Sequence, residues 1–140
     1  MDDLYQATIV DHDRAPRNAG HLAAPTHHAT VDNPLCGDVV TVEATIVDGA
    51  ITEIAHNGRG CALSRAAASL MTTMVRGRTI LDAQHLAAAF EHCIQSPPDA
   101  AIADELGDLR AFAGVRRFRS RRVCAALPFR ALIQALDADT

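Results

Sequence analysis

Cys36 and Asp38 stand two positions apart in Asn33-Pro34-Leu35-Cys36-Gly37-Asp38, so one short loop offers a soft sulfur and a hard oxygen. Pro34 fixes its own φ and biases Asn33 toward extended backbone, and Gly37 permits a sharp bend, so both side chains can converge on one point. A second thiol follows a glycine corner in Gly58-Arg59-Gly60-Cys61, at the head of a long helical pattern, and a third, Cys124, follows a run of arginines. Three thiolates and one carboxylate make a four-ligand tetrahedral set for zinc, or a partly open set for iron and sulfide. A lone cysteine on an apolar face is ordinarily a small buried hydrophobe. The glycine and proline flanks set Cys36 and Cys61 apart from that habit and point to metal or thiol chemistry, although the chain has no C-x-x-C pair.

The elements that must position these loops follow from periodicity. A short helix is expected over residues 2–13, with Asp2 and Asp3 suiting its N-terminus and Tyr5, Ile9 and His12 on one side, before Pro16 ends it. His12 reads as a packing histidine, and the adjacent His27 and His28 would face opposite ways on a strand, so none of the three is taken as a ligand. A strand over 27–33 leads into the Cys36 loop. Val39 to Val47 makes a second, Asp48-Gly49 is a hairpin turn, and Ile51 to His56 pairs back. The exits of the first and third strands then deliver Cys36 and Cys61 to one end of the sheet.

Cys61 to Val75 is helical, with Leu63, Ala66, Ala67, Leu70, Met71 and Met74 forming an apolar stripe. Its N-terminal N–H groups would favour a thiolate at Cys61. Ser64, with no His and Asp in a nucleophile-activating arrangement, reads as a first-turn helix residue. Thr79 to Ile94 gives another helix, on which Leu86, Ala89, Phe90 and Cys93 recur at i, i+3, i+4 and i+7, placing Cys93 on the core face. After the Ser96-Pro97-Pro98 loop come a short helix from Ile102 to Phe112 turning around Gly107, a break at Gly114, and a last helix through Cys124 toward Leu136. Pro128 is expected in the first turns of that helix or at a kink. The expected class is α+β: a small three-stranded antiparallel sheet packed against several helices, with the site where the loops and the last helix meet.

The totals bound the function. A chain of 140 residues suits one domain over 1–140. With 49% hydrophobic and 21% charged residues it is globular, and one Tyr, four Phe and no Trp leave an aliphatic core. A net charge of -4 argues against general nucleic-acid binding. Arg110, Arg116, Arg117, Arg119, Arg121, Arg122 and Arg130 nevertheless crowd the last third. They read as a solvated face, as a docking patch for an acidic partner, or as charge that lowers the pKa of Cys124. No signal-like opening and no apolar run near the ~20 residues of a membrane span is seen, so a soluble cytoplasmic protein without a membrane partner is expected. In that compartment four cysteines read as ligands or reactive thiols rather than a disulfide framework.

The same residues carry a family resemblance. Leu4-Tyr5, Asp11-His12, Pro16-Arg17-Asn18 with Gly20, the Asn33 to Asp38 run, Gly58-Arg59-Gly60-Cys61-Ala62-Leu63-Ser64 with Ala68-Ser69, and Arg121-Arg122-Val123-Cys124 before a final helix occur in order. Over about residues 4–137 the chain thereby resembles the SufU/IscU/NifU N-terminal domain family of iron-sulfur cluster assembly proteins. The long stretch between Cys61 and Cys124, Val123 where IscU scaffolds carry a histidine, and the lack of a Leu-Pro-Pro-Val-Lys motif are similar to the SufU branch. Where the family bears a lysine before the last cysteine this chain has Val123, leaving Arg121 and Arg122 to supply local positive charge.

The resemblance implies a SufE/NifU-like fold, with Cys36, Asp38, Cys61 and Cys124 as metal ligands. It also implies a zinc-dependent sulfurtransferase in which Cys36 accepts persulfide sulfur from a SufS-type cysteine desulfurase, with downstream Suf scaffold proteins as further partners. Mechanics agree: Cys61 and Cys124 are tied to helices, whereas Cys36 hangs on a loop and moves at small cost. Two other readings stay open, a scaffold that assembles and passes on a [2Fe-2S] cluster, and a zinc-stapled adaptor without chemistry.

Overall fold

Alternating β-branched residues build the sheet, and one hairpin dipeptide fixes its register. In the computed structural model, which describes residues 3–137, β1 (His27–Asn33), β2 (Asp38–Val47) and β3 (Ala50–Arg59) pair antiparallel in the order β1-β2-β3. Asp48 and Gly49 both take positive φ, 51° and 77°, as the two-residue turn between β2 and β3 requires. A bulge between Thr45 and Ile46 shifts the β2–β3 register beside that turn. Buried and exposed residues alternate along β1, with His27 buried and His28 exposed, as adjacent strand positions demand.

Two strands are longer than the periodicity predicts. β2 begins at Asp38, which pairs with Asn33, so the aspartate belongs to the sheet rather than to the loop. β3 runs on past His56 to Arg59. Gly58 makes that extension possible, since it holds φ at 131° and any Cβ there would collide with the Val39 carbonyl.

Helices cover one face. α1 (Asp3–Arg14) packs on α2 (Ala62–Val75), while α3 (Ile80–Gln95) and α4 (Arg119–Asp137) pack on each other and α4 lies across β1 and β2. The expected roles of Asp2, and of the Asp3 and Tyr5 side chains, fall outside the described residues. Thr79 caps α3 by accepting the Asp82 N–H at 3.1 Å. The core is aliphatic apart from one aromatic knot, in which Phe90 stacks on Phe129 at 4.2 Å between centroids and meets Phe112 edge-on at 6.0 Å.

The stretch after α3 departs from expectation. It is a 3-10 helix, Asp104–Arg117, interrupted at Gly107 (φ 53°, ψ -128°), and Gly114 continues it rather than breaking it. Arg116 explains the persistence. It is buried, and its guanidinium donates to the Pro98 and Ala100 carbonyls at 2.7 and 3.0 Å and to Ser96 Oγ at 3.2 Å, so it clamps the preceding loop instead of facing solvent. Pro128 lies well inside α4, neither in its first turns nor at an end, and the helix continues through it. No helix among the described residues is long and apolar enough to cross a membrane.

Candidate metal centre

The Cys36 turn is built by Asn33. Its side-chain Oδ1 accepts the Leu35 N–H at 3.1 Å, and its carbonyl accepts from Cys36 and Gly37 N–H at 3.3 and 2.8 Å. Gly37, at φ 79°, closes the turn into β2. Cys36 is left exposed at the apex with Leu35, itself 94% exposed, beside it.

Asp38 points the other way for a reason of pleat. Strand alternation puts it on the same face as Val40, Val42 and Ala44, all buried, and α4 packs on β2. Asp38 is only 6% exposed, and its Oδ2 accepts no hydrogen bond from the described residues.

Cys61 arrives from β3 as the N-cap of α2, with extended backbone (φ -72°, ψ 172°), but its sulfur caps nothing. It lies against Cys124 as a hydrogen-bonding neighbour. Cys124 sits early in α4, and Pro128, four residues on, has no N–H to give its carbonyl. Donor atoms of Cys36, Asp38 and Cys124 all lie within 4.8 Å of one another. Three of the four residues expected from the sequence therefore meet at the open end of the sheet, and Cys61 stands beside Cys124 but outside that 4.8 Å set. Cys93 does not join them: it is 7% exposed in the core, where burial pushes its thiol pKa up and Arg116 only partly opposes this.

Electrostatics of the cluster run opposite to one expectation. The arginine run does not lower the Cys124 thiol; its pKa is pushed up to about 12, first by burial, then by the Cys61 hydrogen bond and the nearby Cys61, Cys36 and Asp38. Arg121 instead lies over the Phe118 ring at 4.6 Å, and Arg122 donates to the Arg116 carbonyl at 3.0 Å.

A buried carboxylate oxygen without a donor and a thiol pushed up by burial and by its acidic neighbours are both costs of burying potential anionic ligands around one point. A divalent cation removes both. The residues present fit such a group: three sulfurs and one oxygen match zinc, and also meet the needs of iron with sulfide.

Neighbouring motifs hold the frame. His12 Nδ1 lies 2.7 Å from Ser69 Oγ, Arg17 N–H donates to the same oxygen at 2.8 Å, and Asn18 Nδ2 donates to Thr72 Oγ1 at 3.1 Å. Pro16-Arg17-Asn18 is thus riveted to α2, with Asn18 at φ 61°. The Gly60 corner is tied by Arg65, whose guanidinium reaches the Gly60 carbonyl at 2.7 Å and Asp13 at 2.9 Å. Ser64 lies in the first turn of α2, as the sequence suggests. It is 1% exposed, its Oγ has no partner among the described residues, and a Cβ on Gly60 would sit 3.0 Å from that oxygen and 3.9 Å from Asp38 Cγ.

Comparisons with known proteins accord with this arrangement. The profile of the NifU-like N-terminal domain family matches residues 4–125. An iron-sulfur cluster assembly scaffold protein IscU of Streptococcus pyogenes serotype M1 is 34% identical over 136 residues, covering 97% of this chain and 84% of the relative. A zinc-dependent sulfurtransferase SufU of Bacillus subtilis (strain 168) is 37% identical over 134 residues, covering 94% and 88%. Among solved structures, a nitrogen-fixing NifU-like protein (N-terminal) from Brucella abortus superposes with a TM-score of 0.84 at 30% identity, covering 99% of this chain and 98% of that one.

Proposed function

The chain belongs to the NifU-like N-terminal domain family, and on that premise we propose that it is a zinc-dependent sulfurtransferase of iron-sulfur cluster assembly, accepting persulfide sulfur on Cys36 from a SufS-type cysteine desulfurase. The observation that carries the reading is the convergence of exposed Cys36 with buried Asp38 and half-buried Cys124, next to Cys61. Cys36, Asp38, Cys61 and Cys124 would hold the zinc, which when bound keeps its ligand thiols as thiolates at neutral pH.

The chain's own residues then divide the work. Cys61 and Cys124 are fixed by α2 and α4, whereas Cys36 rides a turn whose apex is open to a partner. In the transfer, the Cys36 sulfur attacks the outer sulfur of the desulfurase persulfide. A new S–S bond forms on Cys36, the old one breaks, and the desulfurase cysteine leaves as its thiolate, with no net oxidation. Exposed Leu35 gives the incoming partner an apolar contact beside the reacting sulfur.

A second reading is favoured by the exposure of both Cys36 and Cys61, which would leave room for a [2Fe-2S] cluster to be built and passed on. Val123 beside Cys124, where IscU scaffolds carry a histidine, weighs toward zinc. Elemental analysis of protein purified without air separates them: about one zinc per chain is expected, and iron with stoichiometric sulfide would establish the scaffold reading instead.

A further inference from the structure

Two buried atoms of opposite kind flank Gly60 without partners among the described residues: Asp38 Oδ2, an acceptor, and Ser64 Oγ, a donor. Ser64 occupies the first turn of α2, where a serine hydroxyl ordinarily turns back to the carbonyl four residues earlier. That carbonyl is Gly60's, and Arg65 Nη1 already holds it at 2.7 Å. A Cβ on Gly60 would lie 3.0 Å from Ser64 Oγ and 3.9 Å from Asp38 Cγ, so the hydroxyl and the carboxyl border the same glycine. An unpartnered buried donor and an unpartnered buried acceptor that border one glycine are a pair that a turn of either side chain would join.

Resting on the assignment of Asp38 as a metal ligand, we propose that Ser64 is the positioning residue for that carboxylate. Its hydroxyl donates to the oxygen of Asp38 that does not ligate, so the aspartate engages the metal through one oxygen in a fixed orientation. Support of a ligand by an outer hydrogen bond ordinarily changes metal affinity about 10–100-fold. Gly60 then has a stated purpose beyond bending the chain before Cys61: a side chain there would press on the hydroxyl.

A water is the competing partner for the hydroxyl. Ser64 also borders a cavity of about 250 Å³ shared with Val39, His56, Asn57, Gly58 and Ala68, and a water there would accept or donate equally well. Coupling between Ser64 and Asp38 separates the two partners.

The test compares wild type, Ser64→Ala, Ser64→Thr, Asp38→Ala and the Ser64→Ala/Asp38→Ala double variant in zinc affinity, by competition with a chelator, and in melting temperature of the metal-free protein. Ser64→Ala should weaken zinc about tenfold while Ser64→Thr restores affinity to within about twofold. In the Asp38→Ala background Ser64→Ala should have no further effect. The metal-free melting temperature of Ser64→Ala should hold or rise, because the variant removes a buried hydroxyl that has no partner. Unchanged affinity in Ser64→Ala, an equal loss in both backgrounds, or a parallel fall in metal-free stability would each overturn the assignment. Failure of the metal-centre reading shows separately, in a wild-type protein that binds no zinc at all.

Discussion

The fold opposes ionisation of the Cys124 thiol, first by burial and then through its acidic neighbours Cys61, Cys36 and Asp38. Cys93 supplies the contrast, a thiol that burial also pushes up but that lies in the apolar core with Leu86, Phe90 and Ile94, outside the cluster. Cys93→Ala should therefore cost on the order of 1 kcal/mol in chemical denaturation and leave bound zinc unchanged; loss of zinc in that variant would place Cys93 among the ligands. The convergence of Cys36, Asp38 and Cys124 is legible in the sequence because its signals are local: Pro34 and Gly37 bend the chain beside Cys36, and Cys124 falls in the pattern of the last helix. Ser64 is not legible, since a serine in a first helical turn is ordinary and its burial near Asp38 depends on a side chain that Gly60 lacks. The arginines mislead for a related reason. A run of like charge reads as a solvated face, yet Arg116 turns inward to three acceptors between Ser96 and Ala100, which no local pattern announces.

At the scale of elements, the frame that sets the two cysteine loops side by side is polar where it joins α2. His12 meets Ser69, and His56 meets the Arg17 carbonyl at 3.0 Å, both buried. Burial lowers both histidine pKa values from the ordinary 6.5, with Arg17 also lowering His12 and Asp11 and Asp108 raising it, while the Arg17 carbonyl raises His56. The unfolded chain then binds more protons than the folded one just below pH 6.5, so this stability is complete above that pH and is lost as the pH falls through the lowered folded values. Melting of the metal-free protein should be flat from about pH 8 to 7 and decline between about 6.5 and 5; a melting temperature that holds or rises on acidification through this window would contradict neutral buried histidines. Asp48-Gly49 and the β-branched runs made the sheet readable, since turn chemistry and alternation are local. The 3-10 segment and the place of Pro128 were not, because tertiary burial decides both. α4 lies across the sheet, α2 and α3, and that packing outweighs the one backbone hydrogen bond that Pro128 cannot make.

For the whole molecule, the site lies at the rim of the sheet, on an exposed turn that the proposed desulfurase would meet. Leu35 stands 94% exposed next to Cys36, more than any other large apolar side chain among the described residues. Leu35→Glu should raise the KM for this protein in stimulated alanine release by a desulfurase about tenfold, with zinc content and kcat kept; an unchanged KM would remove Leu35 from the docking surface. The proposed division of labour among the thiols rests on the assembled fold: Cys61 caps α2, Cys124 lies within α4, and Cys36 is carried by a turn. The most direct test of that division is to mix the zinc-loaded protein with a SufS-type desulfurase and free cysteine and map the added sulfur by mass spectrometry. The extra sulfur should appear on Cys36, and Cys36→Ala should abolish the stimulation of alanine release. Sulfur found mainly on Cys61 or Cys124, with Cys36→Ala still active, would contradict the account.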